Sequence, residues 1–289
     1  MQKIYYFVFF LSILFSACKK DKEIIIGDNT APPDATIPNV TKENYVNKAY
    51  ISLLGRKPSD TELSVGENIL NQHNLSSADR SQMLDTILAK PGYNQRLYDI
   101  CISTYLNNMD TAQITQNIAL FGYLLTQPQY QSQWAQIQIE QTKLIKLKSS
   151  VIDLNAGTLD EIGLQKRATN NYFYDQINMG TENFVNSMFQ HFFYRYPTDD
   201  ELSHSENMVN GFADVIFLQN GTTKDDFIII FFGTNNYFEG QVRDLYLRFL
   251  FREPTSVESS AAASKYKTSG SYKQLQKDIL STNEYIGLK

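Results

Sequence analysis

The sequence predicts an all-α fold in which repeated helical modules, of about three helices each, pack into one elongated or compact helical domain. Two observations support this prediction. Apolar residues recur at helical spacing in many segments, and one segment pattern occurs three times. Its copies are Tyr45–Leu63 (YVNKAYISLLGRKPSDTEL), Phe184–Leu202 (FVNSMFQHFFYRYPTDDEL) and Gln241–Ser259 (QVRDLYLRFLFREPTSVES). Self-similarity of this kind is the sequence signature of repeat architectures.

Each copy begins with a predicted helix, which we call the head helix. Its apolar residues form one stripe along the helix, as an amphipathic helix requires. In the first copy they are Tyr45, Val46, Ala49, Tyr50, Leu53 and Leu54. The residue before a proline disfavours helical backbone, so we expect the head helices to end near Lys57, Tyr196 and Glu253.

An Arg-x-Pro turn follows each head helix and leads into a second helix. Directly after each proline, a Ser or Thr is followed three residues later by Glu, which is a capping box. The cap residue contributes about 1 kcal/mol to helix stability. We expect the arginines to bond last-turn carbonyls or the capping Glu. The motif residues are Arg56, Pro58 and Glu62, then Arg195, Pro197 and Glu201, and finally Arg252, Pro254 and Glu258.

A shorter frame closes each copy, with a large apolar residue, a small residue, three variable positions and a Tyr. It occurs as Leu88–Tyr93, Phe232–Tyr237 and Leu280–Tyr285. Leu125–Tyr130 fits the same frame and indicates a degenerate second copy that lacks the Arg and Pro. The sequence therefore predicts copies one and two in residues 42–130, copy three in 183–240 and copy four in 241–289. The apolar run Asp226–Phe232 is predicted to be a helix because it occupies a helical position of the other copies.

The N-terminal residues are predicted to be a leader and a tether. Lys3 precedes an apolar run of about 12 residues, which suits a signal peptide over residues 1–17 and is too short to span a bilayer. Phe15, Ser16 and Ala17 precede Cys18. This string resembles the lipobox of bacterial lipoproteins, which implies lipidation of Cys18 and anchorage to a membrane. Residues 18–41 are charged and then rich in proline, as expected of a flexible tether.

Residues 131–182 do not repeat. Trp134–Lys148 is predicted to be one amphipathic helix, and the periodicity fades after Ser149. We therefore expect an irregular segment there. Long irregular segments in compact domains are often functional, so this is where we expect a ligand or partner surface. Its candidate residues are Trp134, Asn170, Asn171, Tyr172, Tyr174 and Asp175.

The sequence contains no recognisable catalytic pattern. His73, His191 and His204 have no ligand partner at helical spacing, and neither a GxSxG motif nor a phosphate-binding loop occurs. Cys101 stands between two isoleucines, which is typical of a small core residue. With 26 basic and 31 acidic residues the chain lacks the basic excess of nucleic-acid-binding proteins. We expect no catalytic residue, no metal, no cofactor and no nucleic-acid partner.

The repeated string LLGRKPSDTEL resembles the LLGR-x-P helical repeat of secreted and surface proteins of bacteria, several families of which have no assigned function. The charged residues after Cys18 likewise resemble the surface-export tract of Bacteroidota lipoproteins. Tyr194 and Phe251 stand where the first copy has Gly55, so the turn need not be the same in each copy. The resemblance implies a helical module at the cell surface and no catalytic residue.

Taken together, these features predict a cell-envelope lipoprotein, anchored through Cys18 to the outer membrane at the cell surface or on its periplasmic face. We expect it to act as a non-enzymatic protein-interaction or structural module with a protein partner in the envelope. The alternative is a glycan-binding surface lipoprotein that uses Trp134, Tyr172 and Tyr174 as stacking platforms. An enzyme is a third possibility, since carboxylates from distant copies could converge in the fold.

Overall fold

A computed structural model describes residues 37–288 and confirms the all-α fold. Within these residues lie sixteen α-helices, a 3₁₀-helix (Pro128–Gln133) and one antiparallel hairpin of β1 (Asp214–Ile216) and β2 (Gln219–Gly221). The helices are α1 (Asn39–Leu54), α2 (Asp60–Asn71), α3 (Ser77–Leu88), α4 (Pro91–Tyr105), α5 (Thr111–Leu124), α6 (Trp134–Lys148), α7 (Ser150–Asn155), α8 (Glu161–Thr169), α9 (Tyr172–Ile177), α10 (Thr181–Phe193), α11 (Asp199–Val209), α12 (Lys224–Phe232), α13 (Asn235–Leu250), α14 (Ser256–Ser269), α15 (Tyr272–Leu280) and α16 (Asn283–Ile286).

The three Arg-x-Pro turns share one backbone geometry. The residue before each arginine is left-handed, with φ of 69° at Gly55, 56° at Tyr194 and 56° at Phe251. The exchange of Gly for Tyr or Phe therefore does not change the turn. Because a left-handed residue ends the helix, α1, α10 and α13 stop at residues 54, 193 and 250. These ends lie three residues earlier than the proline positions alone predict.

Each arginine of the motif forms a bidentate ion pair with the capping Glu of the next helix. Arg195 donates to both carboxylate oxygens of Glu201, at 2.6 and 2.7 Å. Its Nη1 also donates to the Tyr196 carbonyl at 3.0 Å. Arg56 with Glu62 and Arg252 with Glu258 form the same pairs. The fork of the guanidinium thus fixes the angle between head helix and second helix.

The tail tyrosine of one copy and the head helix of the next belong to a single helix. Tyr93 lies in the first turn of α4, and Tyr237 lies in the first turn of α13; both are buried. Tyr130 differs, because it is half-buried within the 3₁₀-helix. Tyr174 has the environment expected of a tail tyrosine, since it is buried and its backbone N–H is capped by the side chain of Asn171.

The expectation of an irregular segment after Ser149 was wrong. Helices α7, α8 and α9 occupy most of it, each only six to nine residues long. Helices this short show little periodicity, and residues with poor helix propensity, such as Asn155 and Gly157, end or separate them. Asp226–Phe232 is helical within α12, as predicted.

The described domain closes on itself. Tyr285 of α16 packs between two head helices, with ring centroids 6.1 Å from Tyr45 of α1 and 6.3 Å from Phe249 of α13. Its hydroxyl lies 2.8 Å from the hydroxyl of Ser52. The first and last helices are therefore in contact, which excludes an open, elongated arrangement of the described residues.

The core is rich in aromatic rings where α10, α12 and α13 meet. Phe193 and Phe231 stack with centroids 4.1 Å apart, and Phe192 lies 4.8 Å from Phe232. At this junction α13 carries Gly240, where a Cβ would lie 1.7 Å from the Phe192 carbonyl oxygen. The absence of a side chain lets the two helices approach this closely. None of the helices within residues 37–288 is both long enough and apolar enough to cross a bilayer.

We predict that Gly240→Ala destabilises the domain by about 3 kcal/mol, because the added methyl group overlaps backbone atoms that cannot move independently. Gly92→Ala is the matched control, since a Cβ there would lie 4.0 Å from its nearest neighbour, Leu54 Cδ2. Alanine is the better helix former, so this control should gain between zero and about 1 kcal/mol. Urea denaturation of both variants measures the difference, and equal stabilities would contradict the packing described for α10 and α13.

Candidate functional site

The predicted surface residues around α9 are mainly structural. Tyr174 is fully buried, so it cannot stack on a glycan. Asn171 is buried as well and caps α9, because its Oδ1 accepts from the backbone N–H groups of Phe173 and Tyr174 at 2.9 and 3.2 Å. Its amide nitrogen donates to the Arg167 carbonyl at 2.8 Å. These contacts use the polar atoms that a ligand would need.

The other residues predicted to form a ligand or partner surface already make contacts within the domain. Tyr172 is half-buried and packs edge-on against Phe121, with centroids 5.3 Å apart. The indole N–H of Trp134 donates to the Leu124 carbonyl at 3.3 Å. Asn170 bridges Lys143 and Asp225, and Asp175 pairs with Lys224. The structure does not bring Trp134, Tyr172 and Tyr174 together as an exposed aromatic platform.

The hairpin between α11 and α12 is exposed and carries an unusual turn. Its pairing places Ile216 opposite Gln219 and leaves Phe217 and Leu218 as the two turn residues. Both have positive φ, 50° and 63°, as a type I′ turn requires. Such turns favour Asn and Gly, and an L-residue with a large side chain is strained there by about 1 kcal/mol.

Sequence signals point to a different turn. Asn220–Gly221 is the strongest short hairpin signal in this stretch, yet both residues lie in or beside β2. Two features hold this dipeptide in the strand. Met208 packs so closely on Gly221 that a Cβ at this position would lie 2.6 Å from Met208 Sδ. The backbone N–H of the next residue, Thr222, donates to the Asp226 carboxylate at 2.9 Å. The capping of α12 therefore moves the turn to Phe217 and Leu218.

Three exposed apolar residues lie in or just before this hairpin, Phe212, Val215 and Leu218, and we call them the hairpin tip. Leu218 is 97% exposed, and the other two are also exposed. Phe217 faces the domain instead, with its ring 5.9 Å from that of Phe193. A half-buried Phe217 thus anchors the turn while Leu218 projects into solvent.

A groove of about 610 Å³ lies next to this anchor and runs between the turns that follow α10 and α13. Phe193 lines it together with charged side chains of both signs. Those side chains are Arg195, Glu239, Arg243 and Glu253. Arg243 forms a bidentate pair with Glu253, at 2.7 and 2.8 Å. Phe193 contacts Phe217 and also lines the groove, so this one residue links the groove to the base of the hairpin turn.

A second feature is a buried polar cluster, which we define by Glu161, Gln165, Tyr237, Gln241 and Tyr266. The Tyr266 hydroxyl donates to Glu161 Oε2 at 2.8 Å, and the Tyr237 hydroxyl donates to Gln165 Oε1 at 2.8 Å. Gln165 Nε2 donates to Gln241 Oε1 at 2.9 Å and to Glu161. The cluster joins α8, α13 and α14 through neutral donors. Burial raises the pKa of Glu161 to about 8, an effect larger than the opposing ones of the Tyr266 hydroxyl and of Arg248.

Sequence reasoning missed both features. Glu161 lies in a polar stretch of sequence, and nothing near it indicates burial. Leu218 lies two residues before Asn220–Gly221, which is the sequence typical of a hairpin turn. Within residues 37–288 no group of three or more His, Cys, Asp or Glu side chains is arranged to hold a metal ion. Comparison of the chain with protein-family models, with curated proteins and with solved structures finds no match.

We predict that Leu218→Gly stabilises the domain by about 1 kcal/mol, since glycine adopts positive φ without strain and Leu218 buries almost nothing. Phe251→Gly is a matched comparison, because Phe251 is also left-handed and is 86% exposed. Thermal and urea denaturation should show a gain for both variants. A loss of stability in Leu218→Gly would mean that the leucine packs against the domain.

We predict that the Glu161 carboxyl makes stability depend on pH. An unfolded Glu has a pKa of about 4.3, so the folded state binds this proton more tightly. The stabilisation is full below about pH 4 and is lost as the pH rises towards 8, at up to about 1.4 kcal/mol per pH unit. Urea denaturation at pH 5 and pH 8 should show this loss in the native chain and a smaller one in Glu161→Gln. Equal losses in the two proteins would contradict the raised pKa.

Proposed function

We propose that this protein is a cell-envelope lipoprotein that acts as a non-enzymatic protein-interaction module at the outer membrane. The supporting observation is the hairpin tip, where a leucine is 97% exposed on a strained turn that a glycine would relieve. Exposure and strain also coincide at Phe251, where the Arg-x-Pro turn requires the left-handed residue; Leu218 lies outside the repeated motif, and backbone strain of this kind clusters at functional sites. The anchoring residue in this proposal, Cys18, lies outside the described residues.

The chemistry of the surface favours a protein partner. Stable interfaces have an apolar centre and a polar rim, and their energetic anchors fill pockets on the partner. Leu218 would be such an anchor. We therefore expect the partner to offer an uncharged apolar pocket.

A lipid bilayer fits this surface less well. The hairpin from Val215 to Thr223 has no Lys or Arg that would attract anionic headgroups. Burial of one leucine stabilises by about 1.5–3 kcal/mol, which is too little for stable membrane binding.

We predict that a photo-crosslinking amino acid at position 218 captures one envelope protein on intact cells of the source bacterium. The same amino acid at position 152 is the control, because Ile152 is 71% exposed on α7 and is not part of the hairpin tip. With the captured partner purified, Leu218→Ser should weaken binding by on the order of tenfold or more, as an interface anchor does. Ile152→Ser should leave the affinity within about twofold, as expected of a residue outside the interface.

Two outcomes would overturn the proposal. One is equal affinity of the native chain and Leu218→Ser for the captured protein. The other is sedimentation with phosphatidylethanolamine vesicles that depends on Leu218 and occurs without any protein crosslink. The second result would assign the hairpin tip to the membrane instead of to a protein.

A further inference from the structure

A cavity of about 250 Å³ lies beside the buried polar cluster, far along the chain from the hairpin tip. The cavity is lined by residues of α4, by the loop between α7 and α8, and by the loop between α14 and α15. Its lining includes Glu161 and three tyrosines, Tyr93, Tyr266 and Tyr272. The remaining lining is mixed, with aliphatic side chains such as Leu97, Leu154 and Leu159 beside the polar Asn94, Asp160, Ser271 and Lys273. The size suits a ligand smaller than a typical drug molecule.

The hydroxyls of the three tyrosines are already used. Tyr93 donates to Gln276 Oε1 at 2.6 Å, and Tyr266 donates to Glu161. The Tyr272 hydroxyl accepts from Arg248 Nη2 at 2.8 Å. Tyr93 and Tyr266 can therefore offer a ligand their rings but no free O–H donor, whereas the Tyr272 hydroxyl is used only as an acceptor. One ring already attracts a cation, because Lys273 Nζ lies 4.9 Å from the centroid of Tyr93.

Charged groups of both signs lie around the cavity. Asp160 caps the start of α8 and Lys166 lies within that helix; Asp244 and Arg248 on α13 form an ion pair at 2.5 Å; and Lys273 lines the cavity from α15. The ionisable groups that face Glu161 from α4, α13, α14 and α15 are otherwise neutral, being Tyr93, Cys101, Tyr105, Tyr237, Tyr266 and Tyr272. Within residues 37–288 Glu161 itself forms no ion pair, and its direct hydrogen-bond partners are neutral.

We propose that this cavity binds a small organic cation, an amine or quaternary ammonium group, with the Glu161 carboxylate as its counter-charge and the rings of Tyr93, Tyr266 and Tyr272 as its walls. Aromatic faces around a buried carboxylate are the combination that recognises such cations. Binding requires the ionised carboxylate, so the Glu161 proton leaves to solvent when the cation enters. This inference is independent of the hairpin tip and of the proposed protein partner.

The test uses the full chain and choline, which carries a permanent charge, with 3,3-dimethylbutan-1-ol as its uncharged isostere. Choline should raise the melting temperature of the native chain at millimolar concentration, while the isostere leaves it unchanged. Glu161→Gln, which keeps the shape of the side chain, should not respond to choline. Circular dichroism of this variant checks that it folds.

A second measurement needs no variant. Between pH 6 and pH 8 the Kd for choline should fall about tenfold per pH unit, because protons compete with the cation for Glu161. Isothermal titration in two buffers of different ionisation enthalpy should show release of nearly one proton per choline at pH 7. Absence of binding by choline, tetramethylammonium and methylamine, or an equal response to the isostere, would overturn the proposal, as would binding without proton release.

Discussion

The structure depends on the way each head helix ends. A residue with left-handed backbone ends the helix. The guanidinium of the arginine after it forms a bidentate ion pair with a glutamate, and the carboxylate of that glutamate also caps the following helix. One glutamate therefore satisfies a backbone N–H, an arginine fork and the electrostatic preference of a helix start. The pairing of Arg195 with Glu201 shows this arrangement at 2.6 and 2.7 Å. Because the same arrangement recurs at Arg56 and Arg252, three pairs of helices meet at similarly built corners.

Local signals explain what could be predicted from the sequence. The apolar stripes, the prolines and the capping boxes each act over a few residues, so the head helices, the helices that follow them and the three turns could be predicted, whereas the short helices α7, α8 and α9 could not. What could not be predicted depends on partners far away. The burial of Glu161 requires Tyr237 and Tyr266, and the position of the hairpin turn requires the contact of Met208 with Gly221. The glycan platform expected around Tyr174 failed for the same reason, since the burial of that ring is decided by α10.

Some helices of the domain are joined by apolar contacts, and others are joined by hydrogen bonds. Between α10, α12 and α13 the contact is made of stacked aromatic rings, as between Phe193 and Phe231. Between α8, α13 and α14 it is made of hydrogen bonds around a single buried carboxyl. An aromatic contact tolerates small shifts, whereas a satisfied hydrogen-bond network specifies one arrangement. The polar junction thus defines the register at which the middle and the end of the chain meet.

The closure of the domain by Tyr285 bears on how the chain folds during its synthesis. The head helix α1 is among the first parts of the domain to be synthesised, yet its Tyr45 is covered by a residue near the very end of the chain. Contacts this distant in sequence form late and slowly. Until residues 282–286 have left the ribosome, or have crossed the membrane in an exported chain, part of the apolar stripe of α1 has no permanent neighbour. Such a chain would rely on a protecting factor for the whole of its synthesis, so a premature stop before Tyr285 would leave that stripe open to aggregation.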